Sequence, residues 1–348
     1  MRTTRRDFVR WLGLGVAGAI GAPRTAAGAD RIRVLGGPGD AERPGPMAGR
    51  ISPELRRFVR AVAAGAVSAY GAIRVVWLHG TPGAPLPVAT LEEARARGDL
   101  LIAERDQAAV PEVVVENRGK VAVLLLAGEI LLGGKQNRVL VEDLLLPPGS
   151  GPRGVGVYCV EQGRWAGRSP GFDARGSFAA PGLRAKVLER ADQGRIWDEV
   201  GRYARNAAAP SPTHSYQAIY EKPEVKVHLD AAERGLDRPA TPGALGAAVF
   251  IGEGLAGLDL FFDPGLFARE WPKLLRAQAL DGYGRDASPG GSDGVFRSRA
   301  EALLRATAEG EGSLRANAGA GRLFECRVGS HRGVALLFEG RIVHAAVL

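Results

Sequence analysis

Between residues 100 and 161 short apolar runs alternate with glycine and asparagine punctuation, a rhythm of strands rather than helices. The runs cover 100–104, 112–116, 121–132, 138–146 and 154–161. Asn117-Arg118-Gly119 and Gly133-Gly134 supply turn residues between them. This pattern predicts an antiparallel meander as the core of the protein.

On both sides the period lengthens. Ser52 can cap a helix over 53–67, where Leu55, Phe58, Val59, Val62 and Ala63 recur at helical spacing. Residues 73–78 alternate poorly but are β-rich, and read as a buried strand. Thr90 caps a short helix that Gly98 stops, with Glu92 and Glu93 in its first turn. Residues 182–207 carry a broad apolar stripe that includes Leu183, Val187, Ile196, Val200 and Tyr203, with a break near Gly194. Pro210 and Pro212 end it, Thr213 can start another short helix, and 231–243 reads as loop. Strands over 247–251 and 258–262, helices over 264–280 and 298–308, and strands over 323–328, 334–338 and 341–347 complete the pattern. The predicted fold is α+β: an antiparallel meander or sandwich core with flanking helices, its sheet completed by the C-terminal strands.

The first residues change the expected address. Arg5-Arg6 is followed by Phe8, then by an apolar, glycine-rich run over 11–22 and the small-residue tract Ala27-Gly28-Ala29. This is the order of a twin-arginine signal peptide with an A-x-A-like cleavage site. The apolar run is about twelve residues, short of the roughly 20 that a membrane-spanning helix needs. Residues 1–29 are therefore read as a signal peptide, 30–50 as a linker in which a Pro/Gly tether over 36–49 follows a short strand at 32–35, and 51–348 as a single domain. The expected partner is the twin-arginine export machinery, and the expected location the periplasm or cell envelope, with no membrane span after cleavage.

Charge then excludes one class of partner. The chain carries 46 basic and 38 acidic residues, a net charge of +8. The first 29 residues hold five arginines and one aspartate, so half of that excess leaves with them. The remainder is mixed along the chain without a dense basic block, and nucleic-acid binding needs a clustered basic face. The two cysteines, Cys159 and Cys326, sit in apolar runs and read as small core residues, although an exported protein could pair them.

Chemistry gathers in GEILLGGKQNRVL, 128–140, and YCVEQGRW, 158–165. With Gly133-Gly134 as a two-residue turn, Glu129 faces Arg138 across the hairpin, and Glu129, Leu131, Gln136 and Arg138 share one face. A second strand ends alike, in Glu161 with Arg164 and Trp165 close behind. Two readings are open. The charges pair because an unpaired buried charge is costly. Alternatively they form a pocket in which Lys135, Gln136, Asn137, Arg138, Arg164 and Trp165 hold a small anionic or polyhydroxy ligand, with Glu129 or Glu161 as acid/base of a hydrolase. A third possibility is an envelope interaction module whose polar cluster is purely structural. The five histidines show no metal-ligand spacing, and neither a phosphate loop nor a nucleophile elbow occurs. Which cofactor, if any, the protein takes is left open by these motifs.

The same two stretches resemble the ARG and Rhodanese-Phosphatase-superfamily-associated protein domain, where ARG is ADP-ribosylglycohydrolase. TLEEARARGDLLIAE, VVVENRGKVAVLLL, the helix from Gln193 to Trp197 and the closing GVALLFEGRIVHAAVL are similar in the same order. The resemblance runs from about residue 50 to the C-terminus. It implies polar positions at Glu129, Lys135, Gln136, Asn137, Arg138, Glu161, Arg164 and Trp165, and it implies no particular reaction. The family name points toward ADP-ribose or nucleotide chemistry.

Overall fold

The computed structural model describes residues 49–84, 86–104, 111–165, 171–236, 243–285 and 291–348. Every described residue belongs to one compact unit. The proposed signal peptide, the strand at 32–35 and nearly all of the proposed linker lie outside the described residues.

In chain order the described elements are β1 (Arg50–Ile51), α1 (Pro53–Arg60), β2 (Val62–Tyr70), β3 (Ile73–Gly80), β4 (Val88–Ala89), α2 (Leu91–Ala96), β5 (Leu100–Glu104) and β6 (Glu112–Asn117). Next come β7 (Ala122–Leu125), β8 (Ile130–Gly133), β9 (Arg138–Leu140), β10 (Leu144–Leu146), β11 (Arg153–Cys159) and β12 (Phe172–Asp173). Four helices follow: α3 (Pro181–Leu188), α4 (Gln193–Asn206), α5 (Gln217–Glu221) and α6 (Pro223–Leu236). The chain ends with β13 (Ala244–Ile251), β14 (Gly254–Phe261), α7 (Pro264–Gly282), α8 (Asp293–Ala308), β15 (Glu311–Ala316), β16 (Arg322–Val328), β17 (His331–Phe338) and β18 (Arg341–Val347).

The fold is α+β. A nine-stranded antiparallel sheet runs β1-β15-β16-β17-β18-β14-β13-β3-β2, so the C-terminal strands form its middle and one flank. A three-stranded sheet, β10-β7-β4, and a six-stranded sheet, β12-β8-β9-β11-β6-β5, hold the meander. Alternation along β3 explains why 73–78 looked irregular. Ile73, Val75 and Trp77 enter one apolar cluster with residues of α3, α4, α6 and α7, while Val76 and Leu78 enter another with α1 and α8. Both faces are covered, so both are apolar. A third cluster fills the space between the two smaller sheets, with Val123, Leu125, Leu144 and Leu146 meeting Val113, Val115, Leu131, Leu140, Val155 and Val157.

Several elements differ from the expectation, each for a local reason. Ser52 does cap α1, accepting from the Leu55 amide at 3.2 Å. The helix stops at Arg60, however, and 62–70 forms β2, tied to β3 by a two-residue turn with Gly71 at φ +52°. Alanine-rich 61–66 has helical propensity, but pairing with β3 overrides it. The expected strand 121–132 breaks into β7 and β8, which join different sheets, where Gly128 turns at φ +107° against the Phe178 ring. The run 138–146 likewise divides into β9 and β10. Residues 231–236, expected as loop, end helix α6, whose Val225, Leu229, Ala232 and Leu236 form a buried stripe. The remainder of that expected loop, 237–242, lies outside the described residues. Strand β15 was not expected. Both cysteines are free and buried. Among the described residues no helix is long and apolar enough to cross a membrane.

Candidate functional site

The hairpin that carries the predicted cluster has a different register. Leu131 pairs with Arg138, and Ile130 with Val139, a slip of two positions from a Gly133-Gly134 turn. Glu129 therefore lies opposite Leu140, whose amide donates to the Glu129 carbonyl at 3.0 Å while the Gly128 amide donates to the Leu140 carbonyl at 2.9 Å, and not opposite Arg138. An even slip preserves parity, so Glu129, Leu131 and Arg138 still share a face.

The turn becomes a wide loop because side chains hold it open. Asn137 Oδ1 accepts from the Gly133 amide at 3.1 Å, and Glu104 Oε1 accepts from the Lys135 amide at 2.8 Å. Arg164 donates to the carbonyls of Gly134 (2.7 Å) and Gly133 (3.1 Å) and to Asn137 Oδ1 (3.1 Å). Gly134 sits at φ +51°, where an added Cβ would lie 2.5 Å from the Phe172 ring and 2.7 Å from Glu104 Oε1. Gly134→Ala is therefore expected to lower stability by about 1–3 kcal/mol through backbone strain and steric overlap, measured by urea unfolding.

Glu161 is the hub of this network. Arg164 reaches its Oε2 through Nε at 2.9 Å and Nη2 at 2.7 Å, and the Asn137 amide donates to the same oxygen at 3.1 Å. Thr213 Oγ1 donates to Oε1 at 2.8 Å. Burial pushes this carboxyl up, but its donors Arg164, Thr213 and Asn137 outweigh that and hold it below the usual glutamate range. Asn137 also donates to Ser215, and Gln136 to the Gln162 carbonyl. Arg138 donates to Gln136 Oε1 (2.9 Å) and Cys159 Sγ (2.5 Å), with Glu104 3.7 Å away. Burial raises the Cys159 thiol despite Arg138, so it stays protonated. Gln193 exchanges two 2.9 Å bonds with the Cys159 backbone, standing where a strand neighbour would.

Gln136, Asn137, Arg138, Glu161 and Arg164 are thus brought together, and all five are buried. Lys135 and Trp165 occupy the same two loops but face solvent, Trp165 with 61% of its surface exposed. Trp165 does not cover the network.

Glu129 belongs elsewhere. Its Oε1 accepts from Lys273 of α7, and its Oε2 has no hydrogen-bond partner. Lys273 Nζ also lies 2.7 Å from Glu270 Oε2 and 3.0 Å from Glu92 Oε2. Burial lifts Glu129 to about 8 against the pull of Lys273, and burial also raises Glu270. Beside this group, His344 sits between Asp143 Oδ2 (2.6 Å) and Asp259 Oδ1 (3.1 Å), with Arg184 2.7 Å from Asp259. Burial disfavours the imidazolium, yet the two aspartates raise His344 to about 9.

The partners Glu104, Gln193, Thr213, Ser215 and Lys273 were not anticipated as members of these clusters. Thr213, expected to start a short helix, instead bonds Glu161. Among the described residues, no group of three or more His, Cys, Asp or Glu side chains is placed to hold a metal ion.

A family model described as the ARG and Rhodanese-Phosphatase-superfamily-associated Protein domain matches residues 61–348. No curated protein and no solved structure matches the chain.

Proposed function

The chain belongs to that family over residues 61–348, and we propose that it is an exported binding domain that takes a small anionic or polyhydroxy molecule at the tip of the β8–β9 hairpin. Trp165 and Lys135 form the contact surface. Glu161, Arg164, Asn137, Gln136 and Arg138 form the frame that holds it.

One observation carries this reading. Trp165 keeps 61% of its surface in water while attached to Arg164, whose guanidinium is fixed by Glu161, Asn137 and two loop carbonyls. A large aromatic face held out on an immobilised loop loses little conformational freedom when it stacks on a sugar or planar ring. The exposed ammonium of Lys135, on the loop those bonds secure, complements an anionic group. Both oxygens of Glu161 are occupied and the carboxyl is held ionised, so it neither grips a ligand hydroxyl nor donates a proton. The acid/base role considered for a hydrolase therefore attaches only to Glu129, which lies at the root of the hairpin. Export is supported by the Arg5-Arg6 pair with Phe8, the apolar run over 11–22 and the Ala27-Gly28-Ala29 tract.

The test is a thermal-shift screen of the mature protein against nucleotides, sugar phosphates and carboxylates, with calorimetric titration of each stabilising compound. Trp165→Ala is expected to weaken the best ligand by roughly 30-fold or more, the loss typical of an aromatic anchor. Lys135→Ala is expected to weaken it less, and with a reduced salt dependence.

A further inference from the structure

We propose that the paired buried centres around Lys273 and His344 form an acid-held clamp: two dissociable protons, one on Glu129 and one on His344, fasten the root of the β8–β9 hairpin to the nine-stranded sheet and to α7, and their loss at alkaline pH releases it.

The geometry joins three layers through one short segment, 127–129. The Ala127 amide donates to Asp143 Oδ1 at 2.8 Å, and its carbonyl accepts from Arg184 Nε at 3.0 Å. Asp143 is bound to His344 on β18, and Arg184 to Asp259 on β14, so both main-chain groups of residue 127 are tied to the large sheet. Two residues on, Glu129 is tied to Lys273 on α7. The groups facing Glu129 are Lys273 and Glu270 from α7 and Glu92 from α2. Those facing His344 are Asp143, Asp259 and, behind Asp259, Arg184. His344 also acts electrostatically on Glu270, which links the two centres.

Counting charges shows why protons are required. Around Lys273 three carboxylates surround one ammonium, and of the two that are essentially inaccessible Glu129 keeps one oxygen and Glu270 both without a hydrogen-bond partner. A second ionised carboxylate in that space has no cation left to face, and an uncompensated buried charge is costly. A proton on Glu129 halves the excess and leaves Lys273 to face Glu270 and the partly exposed Glu92. Around His344 the imidazolium and Arg184 balance Asp143 and Asp259, and a neutral imidazole leaves the centre one negative charge in excess.

The direction of the pH effect follows. Both groups bind their proton more tightly folded than unfolded, so their stabilisation is complete below the unfolded values of 4.5 and 6.5 and is lost as pH rises through about 8 and about 9. The melting temperature of the wild-type protein is expected to fall by roughly 5–15 °C between pH 7 and 9.5. In Glu129→Gln, which fixes the neutral form, the fall is expected to be smaller, and in Glu129→Gln/His344→Asn nearly absent. Hydrogen exchange of the wild-type protein gives a readout that needs no variant. After correction for intrinsic rates, backbone amides in 126–133 and 264–282 are expected to lose protection at pH 9.5, while those in β2 and β3 keep it. A flat melting curve over this pH range, or equal loss of protection in all of these segments, overturns the clamp.

Discussion

Arg164→Ala is expected to lower the stability of the fold by about 3–5 kcal/mol, the usual consequence of removing one partner of a buried ion pair. On a domain of this size that is a fall in melting temperature on the order of 10 °C. Glu161 and Arg164 are 2% and 8% exposed at their side chains, so neither charge is screened by water. Removing the guanidinium leaves Glu161 with only the Thr213 hydroxyl and the Asn137 amide. It also frees the carbonyls of Gly133 and Gly134, which hold the loop in its wide form. Arg164→Lys keeps the charge but not the fork of donors, and is expected to fall between wild type and alanine. Glu161 lies below its ordinary value, so its contribution is present above about pH 4.5 and is lost as pH falls further. The acid limb of the stability curve should therefore flatten in Arg164→Ala. A loss below about 1 kcal/mol in urea unfolding would place this pair among surface ion pairs, against the burial seen here.

Lys273→Ala is the second large effect. Glu270 loses the one cation in contact with it among the described residues and must take up a proton or remain charged in an apolar core, while Glu129, largely protonated at this pH, loses its donor. The expected loss is about 3–5 kcal/mol at pH 7.5, with melting followed by circular dichroism. The deficit has a characteristic pH dependence. Without Lys273 both carboxyls hold their protons still more tightly, so the variant recovers stability relative to wild type as pH falls toward 5. Lys273→Met, which restores the apolar stem, is expected to recover part of the loss at every pH. A deficit that is constant from pH 5 to 8 would mean that Lys273 acts through packing alone.

The strands between residues 100 and 161 were legible because each has a buried face, and burial writes itself into alternation. The terminal strands were legible for the same reason. Helix α6 and strand β2 were not. The first hides its stripe behind charged residues such as Glu224, Lys226 and Arg234, and the second is an alanine-rich edge strand whose identity comes from its neighbour β3. At the candidate site, the membership of Gln136, Asn137, Arg138, Glu161 and Arg164 could be read from two short motifs, since polar residues at the ends of apolar strands must find each other. Their exact pairing could not. Register depends on Arg164, in the loop after β11, and Glu104, on β5, bonding the loop from elsewhere in the chain, and a two-residue slip leaves every side chain on its expected face. Glu129 was misplaced for a related reason. Its partner Lys273 is 144 residues away, on a helix whose sequence carries no mark of the contact.

These arrangements divide the polar residues of the hairpin by role. The buried ones hold shape, Lys135 and Trp165 face outward, and the root is anchored through protonated groups. Titration of the protein with its best stabilising nucleotide, sugar phosphate or carboxylate, in wild type and in Trp165→Ala, tests this division most directly. Saturable binding is expected, which the alanine variant loses while its melting temperature, without ligand, stays within a few degrees of wild type. Binding that survives intact in Trp165→Ala, or no binding by any compound of these three classes, would contradict it.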